Sequence, residues 1–341
     1  MGQVWLLDSP ILPGSLPHNI SMAQTVEPRT SFGRRLLKWL LRLLVLLILA
    51  IGGLAGALCA AVRRSNRELP TGGKKRTYLL HVPKTYESSR PTPLVICLPG
   101  FGEWPAHLMS ISRWNQLADQ SGFLVVYPGG SSFPLRWRCD PRADTPEQAR
   151  RDVQFISDLM DELKQTYNID EARVYANGLS NGGGMSFLLA CRLSERIAAI
   201  GIVGGAYLLP WTEYKPKRPV PAIVFHGTAD PLVPFHGGPS GLIDIPFPDV
   251  PQWVKSLAER NGCQINPVPL PVTGSGSGLH YRGRTNSADV LFYAVAGGGH
   301  SWPGGKEMPT FLVGKTIPDV DATRLMWDFF KEHPMTSFEV R

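Results

Sequence analysis

A serine set between two glycines, where a strand pattern turns into a helix pattern, constrains the fold of this sequence most strongly. Residues 178–182 read Gly-Leu-Ser-Asn-Gly, with Ser180 at the centre. Residues 173–176 are typical of a short strand and residues 185–190 of a helix. A turn this tight leaves no room for a Cβ atom two positions before or after the serine, which accounts for the glycines. The context favours a serine held out as a nucleophile over an incidental serine in a glycine-rich turn.

Two later strand patterns end in polar residues that complement this serine. Residues 222–225 are followed by Asp230, and residues 290–295 by His300. Functional side chains of open α/β sheets collect beyond the carboxyl ends of the parallel strands. We therefore predict a triad in which Ser180 is the nucleophile, His300 is the general base and Asp230 orients the imidazole.

His226 is the alternative candidate for the base, because it also follows a strand pattern. It precedes Asp230 by four residues along the chain. We interpret it as a histidine that packs the loop, which leaves the role of the base to His300.

A tetrahedral intermediate at the serine requires two backbone N–H donors for its oxyanion. The residue after the nucleophile, Asn181, supplies one of them in this type of turn. The second comes from a loop after an earlier strand, and residues 94–98 followed by Pro99 have that pattern. Proline has no N–H group, so we place the second donor at Phe101.

Strand and helix patterns alternate along the chain after residue 77, which predicts a mostly parallel sheet covered by helices on both faces. The clearest helix pattern spans residues 146–167, with Thr145 as its N-cap, and another spans residues 323–332. Residues 272–284 are rich in glycine and serine, and we predict a loop there. The strand patterns are residues 78–82, 94–98, 124–127, 174–176, 200–203, 222–225 and 290–295.

Together these segments resemble the esterase/poly(3-hydroxybutyrate) depolymerase family of α/β-hydrolases, close to bacterial feruloyl and acetylxylan esterases. The likeness covers residues 77–333, and its most specific parts are the turn around Ser180 and residues 297–305, which read Gly-Gly-Gly-His-Ser-Trp-Pro-Gly-Gly. The resemblance implies an α/β-hydrolase fold and ester hydrolysis by a Ser–His–Asp triad, without a metal or an organic cofactor. The other matching segments are residues 114–118, 122–128, 152–156, 167–170, 174–184 and 226–238.

The chain departs from the family pattern at three places. The family has His-Gly where this chain has Pro99 and Gly100. Residues 131–140 replace a tryptophan- and asparagine-rich stretch that carries paired cysteines in the family. Cys263 matches a family cysteine, but residues 281–284 lack its expected partner.

The positions of the cysteines in the sequence favour buried thiols over metal ligands. Cys97 and Cys191 lie in apolar runs, where a thiol is commonly buried. Cys139 and Cys263 lie in loop patterns and could pair in an exported protein. No Cys or His spacing in the sequence suggests a zinc site.

Three tryptophans are candidates for contact with a substrate. Trp302 follows the predicted base by two residues, Trp104 is close to the predicted oxyanion loop, and Trp137 lies in the divergent segment. Aromatic walls suit an aromatic acyl group or the face of a sugar. Ordinary core or rim packing is the alternative interpretation of each of them.

The formal net charge of +7 does not indicate binding to nucleic acid, because the charge is not on the part that carries the triad. Residues 1–76 contain 11 Lys and Arg against 3 Asp and Glu, whereas the remaining residues contain 24 against 25. The basic residues flank an apolar segment instead, a pattern typical of membrane topology signals.

That apolar segment, residues 43–62, contains no charged residue and is long enough to cross a bilayer as a helix. Its length favours an uncleaved signal-anchor over a cleaved signal peptide, although residues 55–57 and 59–61 offer small-residue cleavage sites. The predicted organisation is a basic N-terminal segment, this helix, a linker, a catalytic domain and a tail. Their bounds are residues 1–42, 43–62, 63–76, 77–335 and 336–341.

The sequence thus predicts a serine esterase, either membrane-anchored with an exported catalytic domain or secreted. The resemblance favours a polyhydroxyalkanoate-type, feruloyl or acetyl ester as substrate. A peptidase or thioesterase on the same fold is one alternative, since the triad does not determine the leaving group. A catalytically inactive, membrane-tethered binding protein is the other, and it would leave Ser180 unreactive.

Overall fold

The computed structural model describes residues 31–65, 67–240, 246–284 and 288–335. The chain divides into two compact units between residues 61 and 62, and each is described by itself. The first contains most of the long helix α1, and the second contains the sheet and the remaining helices.

The described part of the second unit contains twelve strands, and ten of them form one sheet. Their spatial order is β1-β2-β4-β3-β5-β6-β7-β12-β11-β10. The strands are β1 (Arg67–Thr71), β2 (Lys74–His81), β3 (Thr92–Leu98), β4 (Leu124–Pro128), β5 (Ile169–Leu179), β6 (Ala199–Val203), β7 (Ala222–Gly227), β8 (Gly238–Pro239), β9 (Pro246–Phe247), β10 (Val268–Thr273), β11 (Gly276–Tyr281) and β12 (Val290–Val295).

The centre of the sheet is parallel and its two edges are antiparallel. Strands β4, β3, β5, β6, β7 and β12 run in one direction. Strands β2 and β1 continue the sheet antiparallel at one edge, and β11 and β10 at the other. The carboxyl ends of the six central strands therefore meet along one side of the sheet, where α/β proteins place their sites.

Helices cover both faces of the sheet, as the alternation of patterns predicted. Alternate residues of β3 belong to two separate cores, with Leu94, Ile96 and Leu98 in one and Val95 and Cys97 in the other. Helices α4, α5 and α6 pack on the first core, and α2, α3 and α8 on the second. The helices are α1 (Ser31–Ser65), α2 (Pro105–Ser112), α3 (Trp114–Ser121), α4 (Pro146–Thr166), α5 (Asn181–Arg192), α6 (Val250–Arg260), α7 (Thr310–Val313) and α8 (Ala322–Glu332).

Helix α4 confirms the clearest helix prediction, and its start is encoded locally. The Thr145 hydroxyl accepts from the Gln148 N–H, and the Gln148 side chain accepts from the Thr145 N–H, which forms a capping box. Phe155, Ile156 and Leu159 point into the first core from one face of the helix. Asp152 on the same helix is buried against Arg76, 2.8 Å away, in a structural ion pair.

Two segments predicted to lack strands form the sheet edges instead. Strand β1 lies within the predicted linker, and it pairs with β2 across a turn in which Gly72 and Gly73 have φ of 54° and 73°. The basic residues of this hairpin led to the prediction of a linker, but such residues are common at an exposed sheet edge. Residues 272–284 contain β11, whose Gly278 lies where a Cβ would come within 2.8 Å of Leu270 and Tyr293. That strand is glycine-rich because its neighbours approach closely.

Helix α1 contains the predicted residues 43–62 and begins before them. Its stretch Leu36–Leu54 has a mean hydropathy of 2.2 and no buried residues. By length and composition alone it could cross a membrane. The predicted tail, residues 336–341, lies outside the described residues.

Candidate active site

Ser180 stands at the turn between β5 and α5 in a strained backbone conformation, with φ 57° and ψ −119°. Three backbone hydrogen bonds hold it there. Its N–H donates to Val203 O over 2.9 Å, and its carbonyl accepts from the N–H groups of Gly184 and Ala206 over 3.0 and 2.9 Å. Positive φ at a non-glycine residue persists only where the surroundings enforce it, and such strain clusters at functional sites.

The glycines beside Ser180 are required by close contact with the end of β3. A Cβ on Gly182 would lie 1.9 Å from Leu98 O, and one on Gly178 would lie 2.4 Å from Gly182 C. The predicted tight turn is therefore present, and it presses the start of α5 against the loop that follows β3.

We expect Gly182→Ala to destabilise the second unit by about 1–3 kcal/mol, because the added methyl group must push β3 away from the start of α5. Urea unfolding of the variant and the parent chain measures the difference. An unchanged unfolding midpoint would contradict the close contact.

Asp230 and His300 form a buried hydrogen-bonded pair. His300 Nδ1 donates to Asp230 Oδ2 over 2.7 Å, and both residues are buried. Asp230 Oδ1 accepts from the backbone N–H groups of Leu232 and Val233, each over 2.8 Å. Burial alone would raise the pKa of Asp230, but His300 and the Val233 N–H outweigh it and lower that pKa. The carboxylate thus stays ionised and leaves Nε2 of His300 available as a base.

Gly204 lies next to this pair, and the residue before it is hydrogen-bonded to the serine. Its neighbour Val203 accepts the Ser180 N–H, and a Cβ on Gly204 would lie 3.3 Å from His300 Nδ1 and 3.5 Å from Asp230 Oδ2. The three predicted triad residues thus follow the carboxyl ends of β5, β7 and β12, around the end of β6.

His226 has a contact that the sequence did not predict. Its Nε2 lies 3.4 Å from Asp230 Oδ2 and 2.8 Å from Val233 O, and its Nδ1 lies 3.2 Å from the Tyr207 hydroxyl. A carbonyl only accepts, so Nε2 carries the hydrogen and Nδ1 accepts from Tyr207. Burial lowers the pKa of His226 against the opposing effect of Asp230, which favours the neutral ring. It packs behind the pair, as the interpretation of a packing histidine requires.

The loop after β3 has few backbone donors that are free for an oxyanion. Gly100 N–H donates to Glu103 Oε2 over 2.6 Å, Gly102 N–H to Leu135 O over 2.7 Å and Glu103 N–H to Gly100 O over 3.2 Å. Within the described residues, the N–H groups of Phe101 and Trp104 donate to no protein acceptor, and neither does Asn181 N–H at the start of α5. Phe101 and Asn181 are the two groups that the sequence predicted as donors.

Two of the three tryptophans predicted to contact a substrate have side chains that are buried in the cores. Trp302 is 1% exposed, and its Nε1 donates to Thr323 Oγ1 over 2.8 Å. Trp137 is also 1% exposed and stacks on Phe155. Trp104, which precedes α2, is 40% exposed and remains available to a substrate.

Trp137 forms hydrogen bonds to both sides of the candidate oxyanion hole. Its indole Nε1 donates to Pro99 O over 3.0 Å. Its backbone N–H donates to Asn181 Oδ1 over 2.7 Å, and its carbonyl accepts from Asn181 Nδ2 over 3.2 Å. One residue thereby ties the loop after β3 to the start of α5, a role that no local sequence signal indicates.

Cys139 and Cys263 do not form the disulfide that the sequence left open. Both are buried free thiols, as are Cys97 and Cys191, which the apolar runs had predicted. Cys139 Sγ accepts from Asn181 Nδ2 over 3.3 Å, whereas Cys263 Sγ donates to Ala288 O over 3.0 Å. Burial raises the pKa of Cys263 to about 12, so this thiol stays protonated.

A cavity of about 690 Å³ lies between the first half of α4 and the end of α5. Its lining includes Cys139, Leu188 and Leu209, but none of the predicted triad or oxyanion residues. The strained turn and the buried pair of Asp230 and His300 lie elsewhere, so we place the chemistry at Ser180 and not in this cavity.

Comparison with known proteins identifies the family of this chain. Residues 76–209 match the family model described as esterase PHB depolymerase. NocK of Nocardia uniformis subsp. tsuyamanensis, which carries the name of an esterase, is 30% identical over 262 residues, covering 70% of this chain and 74% of that protein. The chain belongs to the esterase/PHB depolymerase family. Feruloyl esterase C of Emericella nidulans is 27% identical over 258 residues, covering 75% and 83% of the two chains.

The fold agrees as well. The acetyl xylan esterase of Aspergillus awamori superposes with a TM-score of 0.52 at 15% identity, covering 70% of this chain and 94% of that one. This esterase/PHB depolymerase family member therefore has the predicted α/β-hydrolase fold, and it is a carboxylic ester hydrolase.

Proposed function

We propose that this family member is a serine esterase that works through an acyl-enzyme, with Ser180 as nucleophile, His300 as general base and Asp230 as the residue that orients it. The observation that carries the proposal is the 2.7 Å hydrogen bond between His300 Nδ1 and Asp230 Oδ2, held beside the strained turn of Ser180. A serine hydroxyl becomes a useful nucleophile only next to such an oriented base.

In the proposed reaction His300 Nε2 takes the Ser180 proton as the Oγ atom attacks the ester carbonyl. The oxyanion that forms accepts from the N–H groups of Phe101 and Asn181. The protonated His300 then gives its proton to the leaving alcohol, and the acyl group stays on Ser180. A water molecule deprotonated by His300 releases the acid and restores the free serine.

Exposed apolar side chains surround the proposed site on two sides. Phe101 and Trp104 flank the oxyanion loop at 58% and 40% exposure. Phe311, 87% exposed, lies on α7, where Val313 O accepts the His300 N–H over 2.5 Å. We propose that these residues contact the apolar part of an ester, which suits a feruloyl, acetyl or polyhydroxyalkanoate-type substrate.

Trp104→Ala tests this contact. We expect KM for a long-chain p-nitrophenyl ester to rise about 3- to 30-fold, because the variant loses apolar area of up to one aromatic side chain, while the acetate ester changes little. Steady-state kinetics on both esters measure the split. Equal changes for the two esters would show that Trp104 does not contact the acyl chain.

A fluorophosphonate probe on the full chain tests the proposed chemistry, together with a panel of p-nitrophenyl esters, thioesters and aminopeptide substrates. We expect labelling at Ser180 and turnover of esters above the other two classes. Preference for a thioester or a peptide bond would establish the corresponding alternative activity. A folded chain that is neither labelled nor active would support the inactive binding protein.

We also propose that α1 anchors the enzyme in a membrane through residues 43–62 or the overlapping stretch Leu36–Leu54, with the catalytic unit exported. The support is the uninterrupted apolar run and the basic residues on either side of it. Carbonate extraction of membranes tests the anchor, and a protein released into the soluble fraction would exclude it.

A further inference from the structure

Glu103 closes the oxyanion loop on itself with two hydrogen bonds. Its carboxylate accepts the Gly100 N–H over 2.6 Å, while its own N–H donates to Gly100 O over 3.2 Å. The side chain is 8% exposed, so this carboxylate is held in a largely dry place. Gly102 has a φ of 70°, which completes a tight turn from Gly100 to Glu103.

This arrangement decides which N–H group the loop offers. Without the Glu103 carboxylate, the Gly100 N–H would be a further free donor next to that of Phe101, and the loop would lose the contact that sets its turn. With it, the N–H groups of the loop that lack a protein acceptor among the described residues are those of Phe101 and Trp104, and Phe101 is the one adjacent to Gly100. A carboxylate accepting a backbone N–H is a strong, charge-assisted bond, which suits it to fix a loop.

The same carboxylate brings a negative charge close to the place where the oxyanion forms. A Cβ on Gly100 would lie 3.3 Å from Glu103 Oε2 and 3.5 Å from Ser180 Cβ, so the carboxylate and the nucleophile flank one residue. A nearby negative charge disfavours a developing oxyanion, and the effect is strong where water is excluded. The loop therefore needs a positive charge to balance Glu103.

His107 is placed to supply that charge. It lies in the first turn of α2, and its Nδ1 is 2.7 Å from Glu103 Oε1. The hydrogen bond to Glu103 raises the pKa of His107, against the lowering effects of burial and of Lys306. Glu103 and Lys306 are the charged groups that act on this ring. On β3, burial and then the charge of Glu103 raise the pKa of the Cys97 thiol.

We propose that Glu103 and His107 are positioning residues of the oxyanion loop: Glu103 selects Phe101 N–H as the donor, and protonated His107 balances the carboxylate. The inference rests on the proposed function, since it assigns this loop to the oxyanion of Ser180. Neither residue is a member of the triad.

The proposal predicts how kcat varies with pH. A group whose pKa is raised stays protonated to higher pH than usual and loses its proton as the pH rises through the raised value. Below that value the Glu103–His107 pair is neutral overall, and above it a net negative charge remains beside the oxyanion. We therefore expect kcat of the parent enzyme to fall at alkaline pH, by about 10-fold for a charge this close.

Three variants separate the two roles. Glu103→Gln keeps an acceptor for Gly100 without the charge, so we expect kcat within about 3-fold of the parent and no alkaline fall. Glu103→Ala removes the turn contact, so we expect kcat to fall about 10²-fold with KM little changed, as when an oxyanion donor is lost. His107→Gln leaves the carboxylate unbalanced, so we expect a kcat about 10-fold lower than that of the parent at pH values below the raised pKa of His107, and no alkaline fall.

His81→Gln is the matched control, because His81 lies 3.0 Å from Asp119 in a similar pair on β2 and α3. We expect it to keep the parent profile. An alkaline fall that persists unchanged in Glu103→Gln would overturn the proposed charge balance. A Glu103→Ala variant that folds and keeps the parent kcat would overturn the proposed selection of Phe101.

Fluorophosphonate labelling of every variant distinguishes this inference from the proposed function. If the parent is neither labelled nor active, the serine esterase proposal fails. If the parent is labelled and active while all three variants follow its pH profile, the esterase stands and the roles of Glu103 and His107 are excluded.

Discussion

Ser180→Ala is expected to lower kcat for an ester by at least about 10⁴-fold while leaving the fold intact. The change removes one hydroxyl group, which does not cap α5, and keeps the backbone bonds to Val203, Gly184 and Ala206. The strain of the turn is therefore the same in both proteins. We expect the free energy of unfolding to change by less than about 0.5 kcal/mol. Initial rates with p-nitrophenyl acetate measure the loss of activity, and urea unfolding curves measure the change in the free energy of unfolding.

Ser186→Ala is the matched control for this variant. Ser186 is on α5, is fully buried and donates to Gly182 O over 3.1 Å, so the same chemical change is made within two helical turns of the nucleophile. We expect it to keep activity and fluorophosphonate labelling. Hydrolysis at the parent rate in Ser180→Ala would exclude Ser180 as the nucleophile and with it the proposed mechanism.

The elements that the sequence predicted best are those whose ends are marked locally. Helix α4 begins after Thr145 because the capping box lies within four residues, and its apolar stripe repeats at helical spacing. Strand β12 has the predicted bounds because an apolar run of six residues lies between polar or small neighbours. Such signals need no information from distant parts of the chain.

The elements that the sequence missed depend on partners elsewhere. Strand β1 is a short, charged segment that becomes a strand by pairing with β2. Strand β11 contains two glycines within six residues and is stabilised by β12 and β10 on either side. Propensity disfavours strands in both sequences, and tertiary pairing overrides it.

The same distinction applies to the candidate site. The positions of Ser180, Asp230 and His300 could be predicted because each follows a strand, and parallel strand ends meet on one side of the sheet. The direction in which a side chain points could not be predicted in this way. Trp302 is two residues from His300 in sequence, yet its indole donates to Thr323 within the second core. The contacts of Trp137 with Pro99 and Asn181 join segments about 40 residues apart, with no signal at either end.

His300→Gln is expected to lower kcat by about 10⁴-fold or more, with little change in KM, because glutamine cannot take the serine proton. The amide can still donate to Asp230, so the buried carboxylate keeps a partner and the fold is preserved. Steady-state kinetics and an unfolding curve measure the two effects. Fluorophosphonate labelling should slow in parallel with kcat, because the same base activates Ser180 for both reactions.

His226→Gln separates the two histidines that contact Asp230. The ring of His226 lies 3.4 Å from the carboxylate and has no exposed side-chain surface, so no substrate can reach it. Its loss should weaken packing around Tyr207 and Val233 and lower kcat by less than about 10-fold, chiefly by loosening Asp230. If His226→Gln were instead the more damaging change, the base would be misassigned. The 2.7 Å bond between His300 and Asp230 would then be structural, since a buried carboxylate can hold two histidines while serving only one of them in catalysis.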